Sequence, residues 1–62
     1  MTRSIVFKIL VRVCGDEIVI VVDKNGKFFD EVVFHKSELI KVKGYFIELA
    51  KRIIQNITTN KD

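Results

Sequence analysis

Ile18-Val19-Ile20-Val21-Val22 is apolar at every position. Successive residues of a β-strand point to opposite sides of the sheet. A strand with one wet face alternates apolar and polar residues; this one does not. Both faces of the sheet at its position therefore have to be shielded from water. The chain offers one convincing amphipathic helix, which is enough to cover one side of a small sheet. A second copy of the same chain is the simplest cover for the other side.

Working outward from this strand, turn signals lie on both flanks. Gly15-Asp16 separates it from an earlier apolar stretch running from about Ser4 to Val13. Ile5, Phe7, Ile9, Val11 and Val13 make one wholly apolar face of that first strand. Val6, Lys8, Leu10, Arg12 and Cys14 make the other, which is mixed. The short connection predicts an antiparallel hairpin. On the far side stands Asp23-Lys24-Asn25-Gly26-Lys27. Asn-Gly supplies the positive φ angles of a type I′ turn, so a second hairpin is expected, leading into a third strand from Lys27 to about His35. Asp30-Glu31 are poor strand formers and predict a bulge or break there.

Residues 36–43 read two ways. Leu39, Val42, Phe46, Ala50, Ile53 and Ile57 continue one helical stripe, whereas Ile40 and Val42 alternate with Lys41 and Lys43 like a short fourth strand. The reading adopted is the strand, with the helix beginning near Gly44. From Tyr45 to Thr58 the pattern is helical, with Phe46, Ile47, Leu49, Ala50, Ile53, Ile54 and Ile57 on the apolar side. Glu48 and Arg52 stand at the favourable i, i+4 spacing. The fold class expected is α+β: one domain over residues 1–62, a small antiparallel β-meander of three or four strands followed by one C-terminal amphipathic helix. Residues 1–3 and 58–62 are expected to fray.

A chain of 62 residues buries only about 60% of the surface its unfolded form exposes. One core of this size contributes roughly 3–5 kcal/mol without a staple. The single cysteine, Cys14, excludes an intrachain disulfide, and one Cys with one His (His35) falls short of a four-ligand zinc set. Oligomerisation is the remaining ordinary staple. The lone thiol fits a reducing compartment. Lys8 and Arg12 interrupt the only stretch that suggests a signal h-region, and no apolar run reaches the ~18 residues of a membrane span. A cytoplasmic location is expected, with no membrane association.

Several motifs fail on closer reading. Asp23-Lys24-Asn25-Gly26 begins like a calcium loop, but the twelfth position is Phe34 where a Glu is needed. Asn56-Ile57-Thr58 is a formal glycosylation sequon, with Ile57 inside the helical stripe. Lys43-Gly44-Tyr45-Phe46-Ile47-Glu48-Leu49 resembles, with one residue deleted, the aromatic RNA-binding strand of the RNA-recognition motif. The chain is too short for that family's order of strands and helices, and core packing accounts for the same residues. Cys14, His35 and a neighbouring carboxylate could form a nucleophile–base set, but a lone Cys and a lone His at strand ends are ordinary edge residues. No enzyme activity, metal or cofactor is expected.

Charge gives the remaining functional signal. Eleven Lys and Arg against eight Asp and Glu leave a net charge of +3, and the pI is near 9.3. Lys36, Lys41 and Lys43 cluster along the chain, with Lys51 and Arg52 further on. Phosphate binding requires such charges on one continuous surface. The expectation is a non-enzymatic homodimer acting as a small accessory or regulatory module. These five residues would contact DNA or RNA phosphates, and Val6, Leu10, Ile18, Ile20 and Val22 would form the dimer interface. The alternative is a protein–protein adaptor docking through an apolar sheet face, with no nucleic-acid binding.

Overall fold

A computed structural model describes residues 4–59. Three antiparallel strands come first: β1 (Phe7–Cys14), β2 (Glu17–Lys24) and β3 (Lys27–His35), in the spatial order β1-β2-β3. A 3-10 turn (Lys36–Glu38) then leads into one helix, α1 (Leu39–Thr59). The α+β meander followed by a C-terminal helix is the expected architecture, with three strands. Of the ends expected to fray, residues 1–3 and 60–62 lie outside the described residues, and Thr58 and Thr59 belong to the helix.

Both hairpins turn on two residues. Gly15 has φ +59°, and Asn25 and Gly26 have φ +53° and +80°. The consecutive positive angles at Asn-Gly are those of the type I′ turn, whose twist matches the flanking strands. Asn25 also ties in the start of β1: its Oδ1 accepts from the Val6 N–H (2.9 Å), and its own N–H donates to the Val6 carbonyl (2.8 Å).

The β-bulge falls one residue earlier than Asp30-Glu31. Register slips between Val22 and Asp23, which pair with Asp30 and Phe28, so Phe29 is the extra residue. Asp30 keeps its place in the strand because the helix gives its carboxylate two partners, as described below.

Residues 36–43 are the clear departure from expectation: they are helical, and no fourth strand forms there. His35 starts the turn. Its Nδ1 accepts from the Ser37 backbone N–H (3.1 Å), while its own backbone N–H donates to Glu38 Oε1 (2.9 Å). This reciprocal cap satisfies two donors that would otherwise be orphaned. The Lys36 N–H reaches back to the Asp16 carbonyl (2.8 Å), pinning the turn to the β1–β2 hairpin. Gly44 then sits inside the helix.

The core is small. Ile18, Ile20 and Val22 of β2 and Leu49 of α1 are buried, with Phe7, Phe29, Val32, Phe34, Val42, Tyr45, Phe46 and Ile53 packed around them. The helix runs closest to β3. The molecule measures 45 × 20 × 12 Å, with a radius of gyration of 13.5 Å. A compact chain of this length is expected at about 10.6 Å.

Candidate interaction surfaces

The registers assign every strand residue to a face. Phe7, Ile9, Val11 and Val13 of β1 lie on the same side of the sheet as Ile18, Ile20 and Val22, the side that carries the helix. Lys8, Leu10, Arg12 and Cys14 share the other side with Glu17, Val19, Val21 and Asp23, and with Phe28, Glu31, Val33 and His35. Ile18, Ile20 and Val22, expected at a dimer interface, are 8%, 0% and 0% exposed. They are the chain's own core and have no surface to offer a second copy. Alternation separates the two faces of a strand but does not say which one a helix will cover. Val6 and Leu10 are exposed.

The outer face is an apolar field with charged margins. Across the sheet its rows read Lys8-Asp23-Phe28, Leu10-Val21-Glu31 and Arg12-Val19-Val33. Leu10, Phe28 and Val33 are more than half exposed. Both basic residues stand on β1, and the acidic ones on β2 and β3. No other described element lies over this side.

A second uncovered region lies on the helix side. Ile9, Val11 and Val13 point toward the helix layer yet are 47%, 51% and 62% exposed, because α1 lies over β2 and β3. One flank of the helix is fixed to β3. Tyr45 Oη donates to Asp30 Oδ2 (2.8 Å), Arg52 donates to the same oxygen (2.9 Å), and the Arg52 guanidinium stacks 5.2 Å from the Phe29 ring. At about 100° per residue, the opposite flank carries Lys43, Ile47, Ala50, Ile54 and Ile57, all exposed. The apolar side expected for the helix is therefore split: Phe46, Leu49 and Ile53 pack inward, and the rest face the uncovered side of β1.

Electrostatics follow from these contacts. Hydrogen bonds from Tyr45 and then Arg52 hold the Asp30 carboxyl below its usual range. Burial, reinforced by Asp30, pushes the Tyr45 phenol up to about 12. Glu38 is lowered by the His35 backbone N–H and then by Lys41. Arg52 pairs with Asp30 and not with Glu48, which instead meets Lys51 at 3.4 Å.

The five basic residues expected to contact phosphate do not all share one side: Lys41, Lys51 and Arg52 lie on the solvent side of the helix, and Lys43 does not. Lys41 pairs with Glu38 (3.0 Å), Lys51 with Glu48 and Arg52 with Asp30. Lys43 and Arg52 are nine residues apart, which sets them roughly 180° apart around the helix. Lys36 sits in the 3-10 turn. The segment resembling the RNA-binding strand lies wholly inside α1.

Cys14 and His35 are not adjacent. The register places Glu17 between them, so they stand two strands apart, roughly 9.5 Å at ordinary strand spacing. Among the described residues, no group of three or more His, Cys, Asp or Glu could hold a metal ion. A shallow open depression of about 330 Å3 is lined by Phe29, Arg52, Gln55, Asn56 and Thr59. Its one cation is already committed to Asp30. Among the described residues, no helix is long and apolar enough to cross a membrane.

No family model, curated protein or solved structure matches this chain.

Proposed function

We propose that this chain is a non-enzymatic protein–protein interaction module that docks another protein on the outer face of its sheet. The observation that carries this reading is the uncovered field of Leu10, Phe28 and Val33, which are 56%, 68% and 51% exposed and flank the half-buried Val19 and Val21. An apolar centre with a charged margin is the composition of an interface. The margin adds polarity: Lys8 and Arg12 favour acidic groups along β1, while Asp23 and Glu31 favour basic groups across the sheet. Phosphate binding would need clustered free cations. The three ion pairs and the placing of Lys43 and Arg52 on opposite sides of the helix favour docking over phosphate contact by these five residues.

The reading is tested by capture from the source cell after nuclease treatment, comparing the natural chain with Leu10→Asp and Val33→Asp. Both positions are exposed, so the variants should fold. A specific protein should be recovered with the natural chain and lost with both variants. Recovery unaffected by either substitution would overturn the reading. So would firm retention on nucleic acid that survives above about 50 mM salt.

A further inference from the structure

We propose that β1 is a self-association edge: a second copy of this chain pairs with it antiparallel across a twofold axis. The product is a six-stranded sheet carrying two helices on one side. This goes beyond the docking reading, because it uses the opposite face of β1 and the far flank of the helix.

Area is the first argument. A folded monomer of 7.2 kDa is expected to expose about 4,100 Å2. This chain exposes 4969 Å2. The excess, about 850 Å2, counts every uncovered region, the outer face included, and is of the order of the roughly 800 Å2 that each partner contributes to an ordinary stable interface.

Position is the second. On the helix side, Ile9, Val11 and Val13 lie open beside the flank that carries Ile47, Ile54 and Ile57, which are 50%, 61% and 46% exposed. Extending the sheet past β1 joins the two strips of Ile9, Val11 and Val13 into one apolar floor between the two helices, whose far flanks border it on either side. All six side chains are left about half exposed by the described chain.

The third argument separates the two edges of the sheet. β3 is distorted by the extra Phe29, and its inner face is occupied by Asp30 with Tyr45 and Arg52. A bulge and an inward charge are devices that discourage edge pairing. β1 pairs with β2 over eight residues without a slip and contains no proline. It is the edge able to accept another strand.

Charge narrows the register. In antiparallel pairs, opposed residues share a face, so the register sum must be even. Centring the axis on Leu10 sets Lys8 opposite Arg12 of the second copy, and opposed like charges are unfavourable. Centring it on Val11 sets Ile9 opposite Val13 and Leu10 opposite Arg12. Of these two, only the second avoids the repulsion, and it joins the apolar face without interruption.

Sedimentation or light scattering at about 100 µM tests the proposal. The natural chain should show twice its 7.2 kDa mass. Val11→Lys and Ile54→Lys should each return it to the single mass with the circular dichroism of a folded chain. Val33→Lys, on the outer face of β3, should leave the doubled mass intact. If Val11→Lys fails to fold, Ile54→Lys decides, since that side chain is exposed on a helix. A natural chain of single mass overturns the proposal. So does doubled mass in Ile54→Lys, or loss of the dimer in Val33→Lys. Because the outer-face variants test docking and the inner-face variants test self-association, failure of one is distinguishable from failure of the other.

Discussion

Asp30 joins the sheet to the helix through a single oxygen. Tyr45 and Arg52 both donate to its Oδ2, and Arg52 also covers the Phe29 ring. The carboxyl is held below its ordinary value of 3.8, first by the Tyr45 hydrogen bond. A group whose folded pKa is depressed contributes stability above its unfolded pKa, and that stability is lost as pH falls through the folded value. Asp30→Asn should therefore destabilise the chain by roughly 1 kcal/mol at neutral pH, the size of one partly exposed charged hydrogen bond. Chemical denaturation checks this. The difference between variant and natural chain should shrink below about pH 4, where the unfolded carboxyl protonates. A gap that stays constant into acid would mean that the carboxylate charge is not what matters. Nothing in the sequence pointed to this residue as a clasp. Asp30 stood out as a poor strand former, and its partners lie 15 and 22 residues away.

At the scale of elements, the strands and their turns were legible because their signals are local. Asn25-Gly26 specifies its own backbone angles, and the register follows from a two-residue loop. The segment from Lys36 to Lys43 was not legible, because Ile40 and Val42 satisfy strand alternation while Leu39, Val42 and Phe46 satisfy helical spacing. What decides between them is a cap: His35 and Glu38 close a reciprocal pair of hydrogen bonds, and Lys41 pairs with Glu38 one turn later. The helix thus passes through Gly44 without a break. An added Cβ at Gly44 meets nothing within 4 Å. Gly44→Ala should then stabilise the fold by up to about 1 kcal/mol, the cost of glycine inside a helix. The check is a raised thermal midpoint at unchanged protein concentration. A helix that began at Gly44 would gain little from the substitution, since the residue would stand at its boundary.

On the scale of the whole molecule, the sequence declared that one lid was too few for a sheet with two apolar sides. It did not declare where the deficit would fall. Parity sorts side chains into two faces, but only packing shows that Ile18, Ile20 and Val22 go under the helix and that the helix leans toward β3, leaving β1 open on both sides. Four buried residues among those described make a thin core for an independent chain. If the second copy supplies the missing cover, stability and assembly are one equilibrium, and the melting temperature must depend on concentration. For a dimer that unfolds directly to two chains, each tenfold increase in concentration adds about 1.4 kcal/mol per dimer. With about 2.1 cal/mol/K per residue of unfolding entropy summed over both chains, that corresponds to a rise of about 5 °C. Scanning calorimetry or circular dichroism over two decades of concentration should resolve such a shift. Ile54→Lys should melt lower and at one temperature throughout, because a solitary chain has no mass-action term. A natural chain whose midpoint did not move would be stable without its neighbour, and the exposed strip of Ile9, Val11 and Val13 would then need another occupant.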